Sequence, residues 1–165
     1  MIYIEENFYT TRGYEIQSYT NNLLTSSMED YLEMIYRGYL ADGYIRLSKL
    51  ASLLNVKDSS ASKMVQKLGK LKLINYEKYG VITLTPKGIE IGHFLLYRHN
   101  ILEDFLRLLG GEDNLLVETE LIEHVISKKT VNNIHLLNGF FYENKEILDK
   151  FLEYKDKSLS KDIKS

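Results

Sequence analysis

The sequence predicts a mainly α-helical protein with an N-terminal winged helix-turn-helix, whose wing is a small β-hairpin, followed by an all-helical domain. Three observations predict it. Apolar residues recur at helical spacing along most of the 165 residues. Two short helical segments stand only "NVKD" apart and are followed by two β-rich runs around Tyr79-Gly80. Charge is divided along the chain: residues 43 to 90 hold nine Lys or Arg against three Asp or Glu, a local +6, so the remainder of a chain of net charge −2 carries −8. A basic module joined to an acidic one implies two tasks.

Composition sets the outer limits. A hydrophobic content of 44% is enough for a buried core. The absence of cysteine excludes disulfides, thiolate nucleophiles and cysteine zinc sites, so a metal site would have to use carboxylates, imidazoles and carbonyls. The N-terminal "MIYIEENFYTTRGYEIQ" has early acidic residues and no continuous apolar run, which predicts neither a signal peptide nor a spanning helix and makes a cytoplasmic protein the expectation.

Residues 1 to 24 are polar and tyrosine-rich and read as an extended arm of unassigned role. The first helix begins near Ser27, with Ser/Thr capping and acids in "TSSMED" and an inward stripe of Met28, Leu32, Ile35 and Tyr39; it ends at Gly43. "YIRLSKLASLLNV" predicts a short helix with Leu50, Leu53 and Leu54 inward. "KDSSASKMVQKLGKLKLI" predicts the next helix, N-capped by Asp58 and burying Ala61, Met64, Val65, Leu68 and Leu71. "INYEKYGVITLT" is the hairpin. Thr85-Pro86 opens a long helix, with Thr as N-cap and Pro at the first helical position, and Gly110-Gly111 stops it; its apolar face includes Phe94, Leu95, Ile101, Leu102, Phe105 and Leu109. Three further segments, "NLLVETELIEHVIS", "TVNNIHLLNGFFYE" and "KEILDKFLEYK", read as helices. The domains expected are 25 to 85 and 86 to 155, with a frayed tail over 156 to 165.

If the helix after "NVKD" buries its apolar stripe, Ser59, Ser60, Ser62, Lys63, Gln66, Lys67 and Lys70 face outward. Short hydroxyls near the N-terminal turn and cations beyond it suit base edges and phosphates respectively. With Lys57 at the helix entry and Lys78 near the hairpin tip, this surface predicts contact with double-stranded DNA.

"ETELIEHVIS" sets Val117, Leu121, Ile122 and Val125 on one arc of a helix and Glu120, Glu123 and His124 on the opposite arc, where the spacing allows one ion to be shared. An ordinary solvated helix face would have the same pattern, so periodicity alone leaves both readings open. Asp30 and Glu33, three residues apart on the first helix, and the isolated His99 on the long helix are equally open to a structural explanation.

Taken together, "SMEDYLEMIY", "SSASKMVQKL", "YEKYG", "LTPKGIEIG", "YRHNILEDFLRLLG" and "ETELIEH" resemble the metalloregulator family of the diphtheria toxin repressor, most closely its short branch, the manganese transport regulators. The resemblance runs from about Thr25 to Glu143 in matching order. It implies that the helical domain dimerises and binds metal, and that Asp30, Glu33, His99, Glu120, Glu123 and His124 are the ligands. The iron-sensing branch has Met at the position of Asp30 and Cys at that of Glu120, so this chain places hard oxygen where those relatives place sulfur, which suits Mn²⁺ and, less selectively, Fe²⁺. Two ions per subunit, bridged by Glu120, are implied in the same way. The chain departs from its relatives in the N-terminal arm, in having no SH3-like C-terminal domain, and in Leu116, which stands where the iron branch has a histidine of its ancillary site.

The expected function is a homodimeric, Mn²⁺-activated repressor of metal-uptake genes, with operator DNA as its partner and neither a membrane nor a small-molecule substrate. Three alternatives stay open: an iron- or zinc-responsive regulator of the same family, a carboxylate and histidine metallohydrolase, or a helical interaction module whose acidic clusters are solvated.

Overall fold

The computed structural model describes residues 23 to 111 and 114 to 162; most of the arm expected over 1 to 24 lies outside them. The chain divides into two compact units between Leu96 and Tyr97.

In the first unit, helix α1 (Ser26–Asp42) begins where Thr25 takes an extended backbone and its hydroxyl accepts the Met28 N–H at 3.3 Å. It stops at Gly43, whose φ of 79° fits the left-handed conformation of a C-terminal cap and whose N–H reaches the Tyr39 carbonyl. Met28, Leu32 and Ile35 are buried as the spacing requires, and Tyr39 packs at the margin of the same core. Strand β1 (Ile45–Arg46) follows; two residues are too few to show alternation, and the sequence reading passes over it.

Helix α2 (Leu47–Leu53) buries Leu50 and Ala51, with Leu47 and Leu54 partly buried beside them. That stripe corrects one expectation: Leu53 lies off its edge and is 53% exposed. Helix α3 (Asp58–Lys70) corrects another. Lys57, with extended backbone and no side-chain bond, occupies the capping position, and Asp58 is the first helical residue, where its charge complements the helix dipole without capping it. Ala61, Val65 and Leu68 are fully buried, and Met64 and Leu71 pack partly against the core.

Strands β2 (Ile74–Tyr76) and β3 (Val81–Leu84) form the hairpin, with Ile74 opposite Leu84 and Tyr76 opposite Ile82. A short turn, Lys78–Gly80, joins them, with Tyr79 and Gly80 at φ 64° and 73°. β1 pairs antiparallel with β3 on its other edge, which completes the order β1-β3-β2.

Helix α4 (Pro86–Leu108) is opened by Thr85, whose Oγ1 accepts the Gly88 N–H at 3.1 Å while its own hydroxyl donates to the Lys72 and Leu73 carbonyls. Gly88 has to be glycine: a Cβ there would stand 1.9 Å from the Leu73 carbonyl oxygen. Ile91, Phe94 and Leu95 of α4 join the core of the first unit.

The second unit holds the rest of α4 with α5 (Leu115–Glu123), α6 (Lys128–Glu143) and α7 (Lys145–Asp162). Gly110, at φ 78°, follows the end of α4 as the sequence predicts. Ser127 caps α6 by accepting the Thr130 N–H at 3.2 Å. Ile101, Leu102 and Val131 are buried, and the buried Asn138 donates to the Ile101 carbonyl at 3.0 Å, tying α6 to α4. Lys155 of α7 donates to the Leu109 carbonyl and so satisfies an acceptor at the end of α4. α7 remains helical through Asp162, well into the stretch expected as a tail.

Candidate metal centre

Helix α5 is folded inside out relative to its hydropathy. Glu123 is 1% exposed and Thr119 fully buried, whereas Leu121 is 70% and Val125 81% exposed, with Leu116 and Val117 also at the surface. Thr119 meets its own hydrogen-bonding need by donating to the Leu115 carbonyl at 2.8 Å. The Glu123 carboxylate needs partners from elsewhere, because burying an ionised carboxylate is unfavourable unless charge and hydrogen bonds compensate. Opposed arcs are present, and Leu121 and Val125 of the apolar one meet solvent; on the acidic one Glu123 is buried, whereas the Glu120 side chain keeps 45% of its surface exposed.

Those partners come from α4. His99, itself buried, brings Nδ1 to 2.9 Å from Glu123 Oε2 and 3.7 Å from Glu120 Oε1. Nε2 of the same ring is 3.8 Å from Glu103 Oε2. His124, at the C-terminal cap of α5, places Nε2 3.7 Å from Glu123 Oε1. Arg98 is also buried and brings its guanidinium to 3.8 Å from Glu123 Oε1 and 3.4 Å from His124 Nδ1. In the second unit, then, two carboxylates and two imidazoles converge, as the helical spacing allows. Hard oxygen mixed with imidazole is the donor chemistry that holds Mn²⁺, Fe²⁺ or Zn²⁺, so the residues fit a divalent ion.

The other two expected ligands stand in the first unit. Asp30 is half-buried and Glu33 buried, one turn apart on α1. Glu33 Oε1 accepts from Arg37 at 3.0 Å from Nε and 2.8 Å from Nη2.

Of the residues expected at DNA, Lys57, Ser59, Ser60, Lys63, Gln66 and Lys67 are exposed on or just before α3, Ser62 is half-buried, and Lys78 opens the hairpin turn. Two residues near the centre escaped the sequence reading. Glu103 could have been found, since it follows His99 by one helical turn; Arg98 could not, because adjacent residues on a helix ordinarily face different ways and only its length returns it to the cluster.

Residues 23–82 match the family described as iron dependent repressor, N-terminal DNA binding domain, and residues 85–154 match its metal binding and dimerisation domain. The HTH-type transcriptional regulator MntR of Geobacillus kaustophilus (strain HTA426) is 47% identical over 126 residues, 76% of this chain and 89% of that protein. The solved structure of the manganese regulator SloR is 32% identical with a TM-score of 0.56, over 77% of this chain and 54% of that one. A manganese-dependent transcriptional repressor in complex with manganese is 30% identical with a TM-score of 0.57, over 68% of this chain and 52% of that one. The chain thus spans most of its curated relative but about half the length of these solved structures. With both family domains matched in sequence order and the donor cluster lying within the second, this chain belongs to the iron dependent repressor family.

Proposed function

We propose that the protein is a homodimeric transcriptional repressor that binds operator DNA when Mn²⁺ occupies a centre formed by Asp30, Glu33, His99, Glu120, Glu123 and His124, and that it controls metal-uptake genes. The observation that carries the reading is the inverted α5, which buries Glu123 against His99 and leaves its leucine and valine side chains outside. A bound divalent ion supplies the positive charge that a cluster of carboxylates requires. The absence of sulfur among the six proposed ligands favours manganese over softer ions, in keeping with the names of the relatives. The carboxylate-rich donor set would hold up to two ions per subunit, with Glu120 among their ligands, and Fe²⁺ is the weaker alternative.

The exposed arc of Leu116, Val117, Leu121 and Val125 is assigned to the dimer contact. In a two-fold dimer, two copies of α3 would enter major-groove faces roughly 34 Å apart, one turn of DNA. Lys63, Lys67 and Lys78 would meet phosphates, with Ser59, Ser60, Ser62 and Gln66 nearer the base edges and Lys57 at the helix entry. The ion would act by structure and transform no substrate, which makes the protein a regulator and not an enzyme, in keeping with a family of transcriptional regulators, and its proposed location is the cytoplasm. No described helix is long and apolar enough to cross a membrane.

The test is selection of duplexes from a random pool with Mn²⁺-loaded protein, then titration of the selected DNA with and without the ion. A large gain in affinity with Mn²⁺ is expected. Equal affinity in chelator and in saturating Mn²⁺ would remove the proposal.

A further inference from the structure

Arg98 lies against the donor cluster and is not among its ligands. Its side chain is 6% exposed, with Nη2 3.4 Å from His124 Nδ1 and 3.8 Å from Glu123 Oε1. A guanidinium stays charged at every pH the protein meets and has no lone pair to offer, so in this contact it is the donor. Nδ1 of His124 must then hold the lone pair, and the ring proton belongs on Nε2, which lies 3.7 Å from Glu123 Oε1. One fixed cation therefore draws on the imidazole lone pair of His124 and on the negative charge of Glu123. A divalent ion in the cluster needs both. Arg98, His99 and Glu123 are themselves buried, so repulsion between the guanidinium and an ion held by Glu123 is less screened than at the surface.

We infer that Arg98 is the resident counter-cation of the metal centre: it holds Glu123 and His124 in place of the ion, and the ion must displace it. Arg98 thereby raises the Mn²⁺ concentration at which the centre fills. The inference rests on the metal-centre reading above and adds the residue that sets its threshold. An arginine that only propped the ligands in place would give the opposite sign on removal, because binding would weaken.

The test uses the full chain without DNA, reading free Mn²⁺ by electron paramagnetic resonance, alongside thermal unfolding of each metal-free variant. Arg98→Gln removes the charge and keeps a donor; it is expected to bind Mn²⁺ about tenfold or more tightly, while Arg98→Lys, which keeps the charge, stays within about threefold of the native protein. Equal or weaker binding by Arg98→Gln overturns the inference. A second measurement needs no variant: nitrogen-15 spectra of the metal-free native protein at pH 8 should show the His124 proton on Nε2, and a proton on Nδ1 would contradict the contact itself. If the native protein binds no Mn²⁺, the metal centre falls; if it binds and Arg98→Gln is unchanged, only the role of Arg98 falls.

Discussion

Glu123 and Leu121 stand two residues apart on α5, yet the carboxylate is buried and the leucine is in solvent. Hydropathy would choose the reverse. A carboxylate at 1% exposure requires compensation, and His99 at 2.9 Å together with Arg98 at 3.8 Å provides part of it. Donor identity then becomes the selectivity of the site. Glu120→Cys and Asp30→Met each replace hard oxygen by sulfur, and each is expected to move preference from Mn²⁺ toward softer ions such as Zn²⁺, read as a reordering of dissociation constants. An unchanged metal ranking in both variants would remove these two residues from the ligand set. The identities of all six residues were visible in the sequence, but their significance was not. Spacing alone favoured a solvated face for Glu120, Glu123 and His124, because a helical wheel gives the relative directions of side chains and says nothing of which direction is inward. Resemblance to a metalloregulator family supplied what periodicity lacks, a reason to read the six as one proposed set.

At the level of elements, periodicity did well wherever the hydrophobic stripe was long. The arcs of α1, α3 and α4, and the hairpin around Tyr79-Gly80, follow from spacing and turn chemistry. Errors fall where an element is too short to average over: β1 with two residues, Leu53 in a two-turn helix, and the single-residue choice between Lys57 and Asp58 as the cap of α3. Close approaches are also invisible in one sequence. Gly88 gives no local sign that the Leu73 carbonyl occupies its missing Cβ, so Gly88→Ala is expected to lower stability by about 1–3 kcal/mol or more in denaturant unfolding, through forced separation of α4 from the turn after α3. Helix α5 carries the complementary prediction. Leu121→Glu puts charge on an arc already exposed in the single chain, so the helix should persist in circular dichroism while sedimentation shows loss of the dimer. A dimer of native stability in that variant would take the arc out of the interface.

For the whole molecule, the division at Leu96 and Tyr97 separates the proposed ligands into two groups. The first unit carries α3 and its cations together with Asp30 and Glu33, and the second carries His99, Glu120, Glu123 and His124. If one ion centre draws ligands from both, filling it restrains one unit against the other, and operator binding selects the restrained arrangement. Coupling of this kind is reciprocal by thermodynamic necessity: the factor by which Mn²⁺ raises affinity for DNA equals the factor by which DNA raises affinity for Mn²⁺. The most direct measurement is therefore the Mn²⁺ dissociation constant of the full chain with and without saturating selected operator duplex, set beside the DNA affinity with and without Mn²⁺. Operator is expected to tighten Mn²⁺ binding by that same factor, in the range of roughly 5–150-fold usual for coupled sites. A Mn²⁺ affinity indifferent to operator would contradict it.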